Sequence, residues 1–160
     1  MSFFKDLFGS KKTTNNSSAN PFGDALGGFF SNLTTDQKCA ILAFESSIAN
    51  FAQGTIEQKE AIKIVTFEMK ALNIKDEQLA SYAQKKKPHR VDDFVDGLRS
   101  ISDKSILDYT LYKGFGIASV CGNDKALGYF LHVFEQLGYT EDDVKNVIQK
   151  IELLGKHSSN

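Results

Sequence analysis

Residues 34–77 read TTDQKCAILAFESSIANFAQGTIEQKEAIKIVTFEMKALNIKDE, and this stretch decides the fold class. Thr34 and Gln37 have the spacing of a capping box, in which each side chain satisfies an orphan backbone N–H at a helix start. The helix that follows, expected over about 35–52, is apolar almost all round: Ile41, Leu42, Phe44, Ile48, Ala49, Phe51 and Ala52. A helix apolar on every side belongs in the middle of a bundle. Gly54 breaks it, Thr55 and Gln58 repeat the capping-box spacing, and Ile62, Val65, Met69 and Leu72 fall on the expected inner face of a second helix. No stretch of the chain sustains the period-2 alternation of a strand, so a sheet is not expected.

Helical punctuation continues toward the C-terminus. A short helix from about Asp76 to Lys86 places Leu79, Tyr82 and Ala83 inward and stops at Pro88, which also suits the first turn of the next helix. That helix runs to about Ser100 on Val91, Phe94, Val95 and Leu98. Ser102 is the expected cap of a long helix striped by Leu107, Leu111, Gly114, Ala118 and Cys121. After Gly122-Asn123, Asp124 opens a helix with Leu127, Phe130, Leu131, Phe134 and Leu137 inward, closed by Gly138. Thr140 caps the last helix, built on Val144, Val147, Ile148, Ile151 and Leu154, and Glu141, Asp142 and Asp143 complement the positive end of its dipole. The expected architecture is an all-α, compact bundle of about seven helices over 34–155, followed by a tail over 156–160.

Residues 1–33 differ. Phe3, Phe4, Leu7 and Phe8 recur at helical spacing, as a short amphipathic helix would. Ser10 to Asn20 is polar and reads as a flexible linker. Phe22, Leu26, Phe29 and Phe30 return to helical spacing, but Gly23, Gly27 and Gly28 weaken that helix by roughly 1 kcal/mol each. A frayed or docked segment is expected there.

The chain of 160 residues is 41% apolar and 24% charged, with 19 basic and 20 acidic side chains and a net charge of −1. One domain of this size buries a real core. The charge balance argues against nucleic acid as the partner, because a nucleic-acid-binding domain normally carries a strongly basic surface. Cys39 and Cys121 sit in apolar helical patterns without the spacing of a redox or zinc pair, so both are expected as small buried hydrophobes. No apolar run reaches the ~20 residues of a membrane-spanning helix, and the start lacks the features of a signal peptide. The expected location is cytoplasmic, peripheral to the inner membrane where the N-terminal segment makes contact.

Two stretches resemble each other. One runs from the first long helix through Ala52-Gln53-Gly54 to Ala71-Leu72-Asn73-Ile74-Lys75-Asp76-Glu77. The other runs from Ala118 through Gly122-Asn123-Asp124 to Gln136-Leu137-Gly138-Tyr139-Thr140-Glu141-Asp142. Each is helix, tight turn, helix, tight turn, acidic-capped helix. Two such halves about a pseudo-twofold axis would bury both sets of apolar stripes. On Ala52-Gln53-Gly54-Thr55-Ile56 with Glu60, Ala71-Leu72-Asn73-Ile74 and Phe134-Glu135-Gln136-Leu137-Gly138-Tyr139-Thr140, the chain resembles the TerB-like helical domains named after tellurite resistance. The resemblance covers roughly 34–155. It implies an acidic divalent-cation site, built in that family from aspartates before glycine and downstream glutamates. Here Gln53 stands at the first aspartate position, and the second turn lacks the Asp-Gly order, so the site is degenerate. Glu60 and Asp124 are its remaining metal-ligand candidates. A hard cation needs several carboxylate oxygens in one shell, and the bland reading of both acids is favourable placement at helix N-termini.

Other chemistry is sparse. His89, His132 and His157 lack metal-ligand spacing, and neither a nucleophile elbow nor a Walker loop occurs. Gly114-Phe115-Gly116 lies inside a helical stripe, where close helix approach explains it. Lys85, Lys86, Lys87 and Arg90 form a basic run around Pro88, a candidate anion contact or else a solvated helix end. Phe3, Phe4, Leu7 and Phe8 beside Lys11 and Lys12 suit a membrane-surface anchor or docking peptide, or a segment that folds back onto the domain. The reading is a non-enzymatic, TerB-like interaction module of a bacterial stress-response or membrane-associated pathway. It has no catalytic residues and no cofactor, its partner is a protein or membrane surface, and the alternative is a divalent-cation or small-ligand binding protein.

Overall fold

The computed structural model describes residues 28–158, with side chains described through residue 153. Over the described residues the chain is all-helical, with seven α-helices and no strand. They are α1 (Thr35–Ala49), extended by a 3-10 turn at Asn50–Ala52, α2 (Ile56–Leu72), α3 (Asp76–Lys86), α4 (Val91–Arg99), α5 (Lys104–Cys121), α6 (Asp124–Gln136) and α7 (Glu141–Ser158). No helix among them is long and apolar enough to cross a membrane.

The capping box of α1 forms as its spacing requires: Gln37 N–H donates to Thr34 Oγ1 at 3.1 Å, and Thr34 N–H donates to Gln37 Oε1 at 2.9 Å. Thr140 and Asp143 make the same reciprocal pair at the start of α7, at 3.1 and 2.8 Å. The box expected at Thr55 does not form. Thr55 turns its hydroxyl back to Ala52 O at 2.6 Å, leaving Gln58 Oε1 to accept from Gly54 N–H at 3.2 Å. The start of α5 also moves by one residue. Asp103, not Ser102, is the cap, accepting from Ser105 N–H at 2.9 Å, and its charge also complements the positive end of the helix dipole.

α1 and α5 form the centre of the bundle; α1 packs against α2 through α6, and α5 against α1, α2, α6 and α7. Gly114 is where they meet α6. A β-carbon there would stand 3.1 Å from Phe44 Cε2, 3.2 Å from Phe130 Cδ1 and 3.3 Å from Ile48 Cδ1. Gly114 therefore serves close approach. Around it Phe44, Phe130 and Phe134 stack in tilted and edge-on pairs with centroids 5.4–5.7 Å apart, a favourable geometry for aromatic quadrupoles. Cys39 and Cys121 are buried free thiols.

Two helix ends share one geometry. α2 ends with Asn73 at φ 57°, where Asn73 N–H donates to Lys70 O and Ile74 N–H to Met69 O. α6 ends with Gly138 at φ 98°, where Gly138 N–H donates to Glu135 O and Tyr139 N–H to Phe134 O. Both are Schellman ends, and in both the following apolar residue, Ile74 or Tyr139, is buried.

The inner face of α2 is rotated from the expected one. Ala61, Val65, Glu68 and Leu72 point inward, Met69 is partly buried, and Ile62 is 48% exposed. On α3, Tyr82 is buried and Leu79 half-buried, while Ala83 faces out. Phe30, in the segment set apart as 1–33, is buried, and its ring packs edge-on against Tyr109 at 5.3 Å. Phe3, Phe4, Leu7 and Phe8 lie outside the described residues, as does the Leu154 side chain.

Candidate functional site

Rotation of α2 brings a carboxyl group into the core. Because α1 is apolar all round, Glu45 sits among Ile41, Leu42, Phe44 and Ile48 and is fully buried. Glu68 lies seven residues after Ala61 and four before Leu72, on the buried stripe of α2, and is 1% exposed. Each reaches the junction of α1, α2 and α5 from its own helix. Glu68 Oε1 accepts a 2.9 Å hydrogen bond from the Tyr109 hydroxyl. Among the described residues, no donor meets Glu68 Oε2 or either oxygen of Glu45. From α5, Lys113 faces both carboxyls, and its ammonium stands 5.6 Å from the Tyr109 ring centroid. A third buried acid, Glu152 of α7, accepts from the Tyr112 hydroxyl.

Burial dominates the electrostatics. It pushes the Glu45 carboxyl well above the usual glutamate range, the Glu68 charge adds to this, and Lys113 opposes it. Glu68 is also raised by burial, against the lowering effects of Lys113, the Tyr109 hydroxyl and Glu45. Desolvation and the Glu68 charge hold the Tyr109 phenol neutral far above its ordinary range. A bare carboxylate in this place has too few donors, and burying an unpaired charge is costly.

On the outside of the same helix, Ile56 is 79% exposed, and Ile62 and Phe67 are also open to solvent. Between α2 and α5 runs an open groove of about 280 Å³, lined by Glu60, Lys63, Ile64, Phe67, Lys113 and Val120. Lys113 thus stands between groove and buried acids. A wider depression of about 460 Å³ lies where α1, α3 and α4 meet, with Asp36, Asp93, Asp96 and Lys86 on its walls.

The residues singled out in the sequence are spread over separate places. Glu60 pairs with Lys63 at 3.3 Å, and Asp124 is exposed in the first turn of α6. Among the described residues no group of three or more His, Cys, Asp and Glu side chains is disposed to hold a metal ion. Lys85 pairs with Asp36 at 3.1 Å, Lys85 and Lys86 close the last turn of α3, and Lys87 follows in the left-handed region at φ 47°. Arg90 N–H donates to Asp93, so the basic run is interleaved with acids. His132 is exposed on α6. Glu45 and Glu68 escaped the reading because an apolar pattern was sought at i, i+3 and i+4. The 61–65–68–72 spacing fits that template once a glutamate is admitted to it.

No family model, curated protein or solved structure matches the chain.

Proposed function

We propose that this chain is a non-enzymatic, TerB-like interaction module whose partner is a protein or a membrane surface, in a bacterial stress-response or membrane-associated pathway. The observation that carries it is the solvent side of α2, where Ile56, Ile62 and Phe67 are exposed and Phe67 lines the groove. Large apolar side chains grouped on one element and rimmed by charge favour docking over solvation. The N-terminal Phe3, Phe4, Leu7 and Phe8 offer a second apolar contact, which a segment so short needs for stable surface binding. The TerB-like pseudo-twofold arrangement is part of this reading, supported by the matching Schellman ends at Asn73 and Gly138.

The test is flotation with anionic and neutral vesicles, run beside affinity capture, using the native chain, Ile62→Lys, and a variant with serine at positions 3, 4, 7 and 8. Binding that either variant loses supports the module. Native chain that binds neither vesicle nor protein, while turning over a substrate, ends it. The alternative, a cation site at Glu60 and Asp124, has Lys63 and Lys113 against it in the groove. Calorimetric titration with Ca²⁺, Mg²⁺ and Zn²⁺ decides between the two.

A further inference from the structure

We propose that Glu45 and Glu68 form a proton-binding site, in which Glu45 holds a proton and donates it as a hydrogen bond to the Glu68 carboxylate. Glu68 takes the Tyr109 hydroxyl, and Glu152 takes the Tyr112 hydroxyl, so both phenols of α5 are already committed. Three carboxyl oxygens of the pair remain without a donor among the described residues, in a place closed to bulk water. An ionised carboxylate only accepts, whereas a protonated one gains an O–H donor. One proton on Glu45 therefore supplies a donor to Glu68 and removes one of two like charges at a single stroke.

Charge leads to the same count. The pair is Glu45 from α1 and Glu68 from α2, and the groups of α5 that act on it are Tyr109 and Lys113; Tyr112, bonded to Glu152 of α7, acts on Tyr109. Lys113 supplies one positive charge for two carboxyls, so one of the two is neutralised by the lysine and the other by a proton. Two carboxyl groups sharing a buried site cannot both ionise without strong repulsion. A metal ion suits the place poorly, because two carboxyls and a neutral phenol fall short of a hard cation's oxygen shell and Lys113 stands against them.

The site has a consequence for α2. Glu68 follows Phe67 directly, so one helix carries the proton acceptor inward and the apolar docking face outward. Loss of the proton sets two negative charges against each other across the α1–α2 contact and loosens that face.

Infrared spectroscopy of the full chain tests the site directly, through the carbonyl stretch that a protonated carboxylic acid has and a carboxylate lacks. The expected result is such a band at neutral pH, absent from Glu45→Gln and retained in Glu57→Gln, which alters an exposed acid on α2. Denaturant titrations from about pH 5 to pH 8 supply the second readout: the native folding constant falls by up to tenfold per pH unit, and Glu45→Gln flattens that slope. Should Glu45→Gln not fold, a band in the native chain that fades as pH rises, and that Glu68→Gln shifts or abolishes, carries the same support. A neutral-pH spectrum without the band, or a band that survives both variants unchanged, overturns the proposal.

Discussion

The Tyr109 hydroxyl on α5 donates a 2.9 Å hydrogen bond to Glu68 Oε1 on α2, with both side chains buried. The bond joins a central helix to the helix that carries the exposed apolar face. Phe30 packs edge-on against the same tyrosine ring, with centroids 5.3 Å apart. Hydrogen bonds to a charged acceptor in such surroundings are stronger than neutral ones.

Removing that donor has a definite expected effect. Tyr109→Phe keeps the ring and its packing but strips Glu68 of its phenol. Equilibrium urea unfolding should show a loss of about 1.5–3 kcal/mol, the usual worth of a hydrogen bond to a charged group. A change indistinguishable from zero would mean that Glu68 is neutral or otherwise satisfied.

The pH dependence has two arms of opposite sign. Glu45 and Glu68 have folded values raised above the unfolded 4.5, so their contribution is complete below that value and falls as pH climbs toward the folded one. The fall is about 1.4 kcal/mol per pH unit for each proton retained by the folded chain. Asp143 and Asp93 behave inversely. Backbone hydrogen bonds from Thr140, and from His89 and Arg90, hold them below the usual 3.8, so their contribution is present above 3.8 and lost as pH drops through the folded value. Urea midpoints across the acidic and neutral range should therefore peak near the ordinary carboxylate range. Asp143→Asn should flatten the acid arm, and Glu45→Gln the other.

Gly114→Ala should destabilise the bundle. The added methyl gains up to about 1 kcal/mol of helix propensity, but it meets Phe44, Phe130 and Ile48 at 3.1–3.3 Å from three sides. Overpacking of that kind typically costs about 1–3 kcal/mol. Thermal or urea unfolding should register a net loss on the order of 1 kcal/mol, and a gain would show that α6 has room to withdraw.

Ile62→Lys separates binding from stability. The side chain is half in solvent and off the buried stripe of α2, so unfolding should shift by no more than about 0.5 kcal/mol. Any partner held by the apolar face should be lost with it. A large loss of stability would instead assign Ile62 to the core.

Much of the fold was legible because helix punctuation is local. Thr34 with Gln37, Thr140 with Asp143, and the left-handed ends at Gly122 and Gly138 are settled by a few adjacent residues. Ile41, Leu42, Phe44 and Ile48 likewise announced a central helix, which α1 is. Thr55 and Ser102 misled because a cap competes with its neighbours for the same N–H groups, and near Thr55 the 3-10 turn offers Ala52 O instead.

By itself the sequence determined the helical class, the helix order and most of the caps, since backbone donors near a helix end look first to residues within one turn. Tertiary structure alone decided which face of α2 turns inward, and so that Ile62 stands in water while Glu68 meets Glu45 and Tyr109. The stripes 61–65–68–72 and 62–65–69–72 differ by a fraction of a turn. The choice between them rests on how α1 and α5 close around the helix, and Tyr109, which meets Glu68 there, lies 41 residues away in the chain.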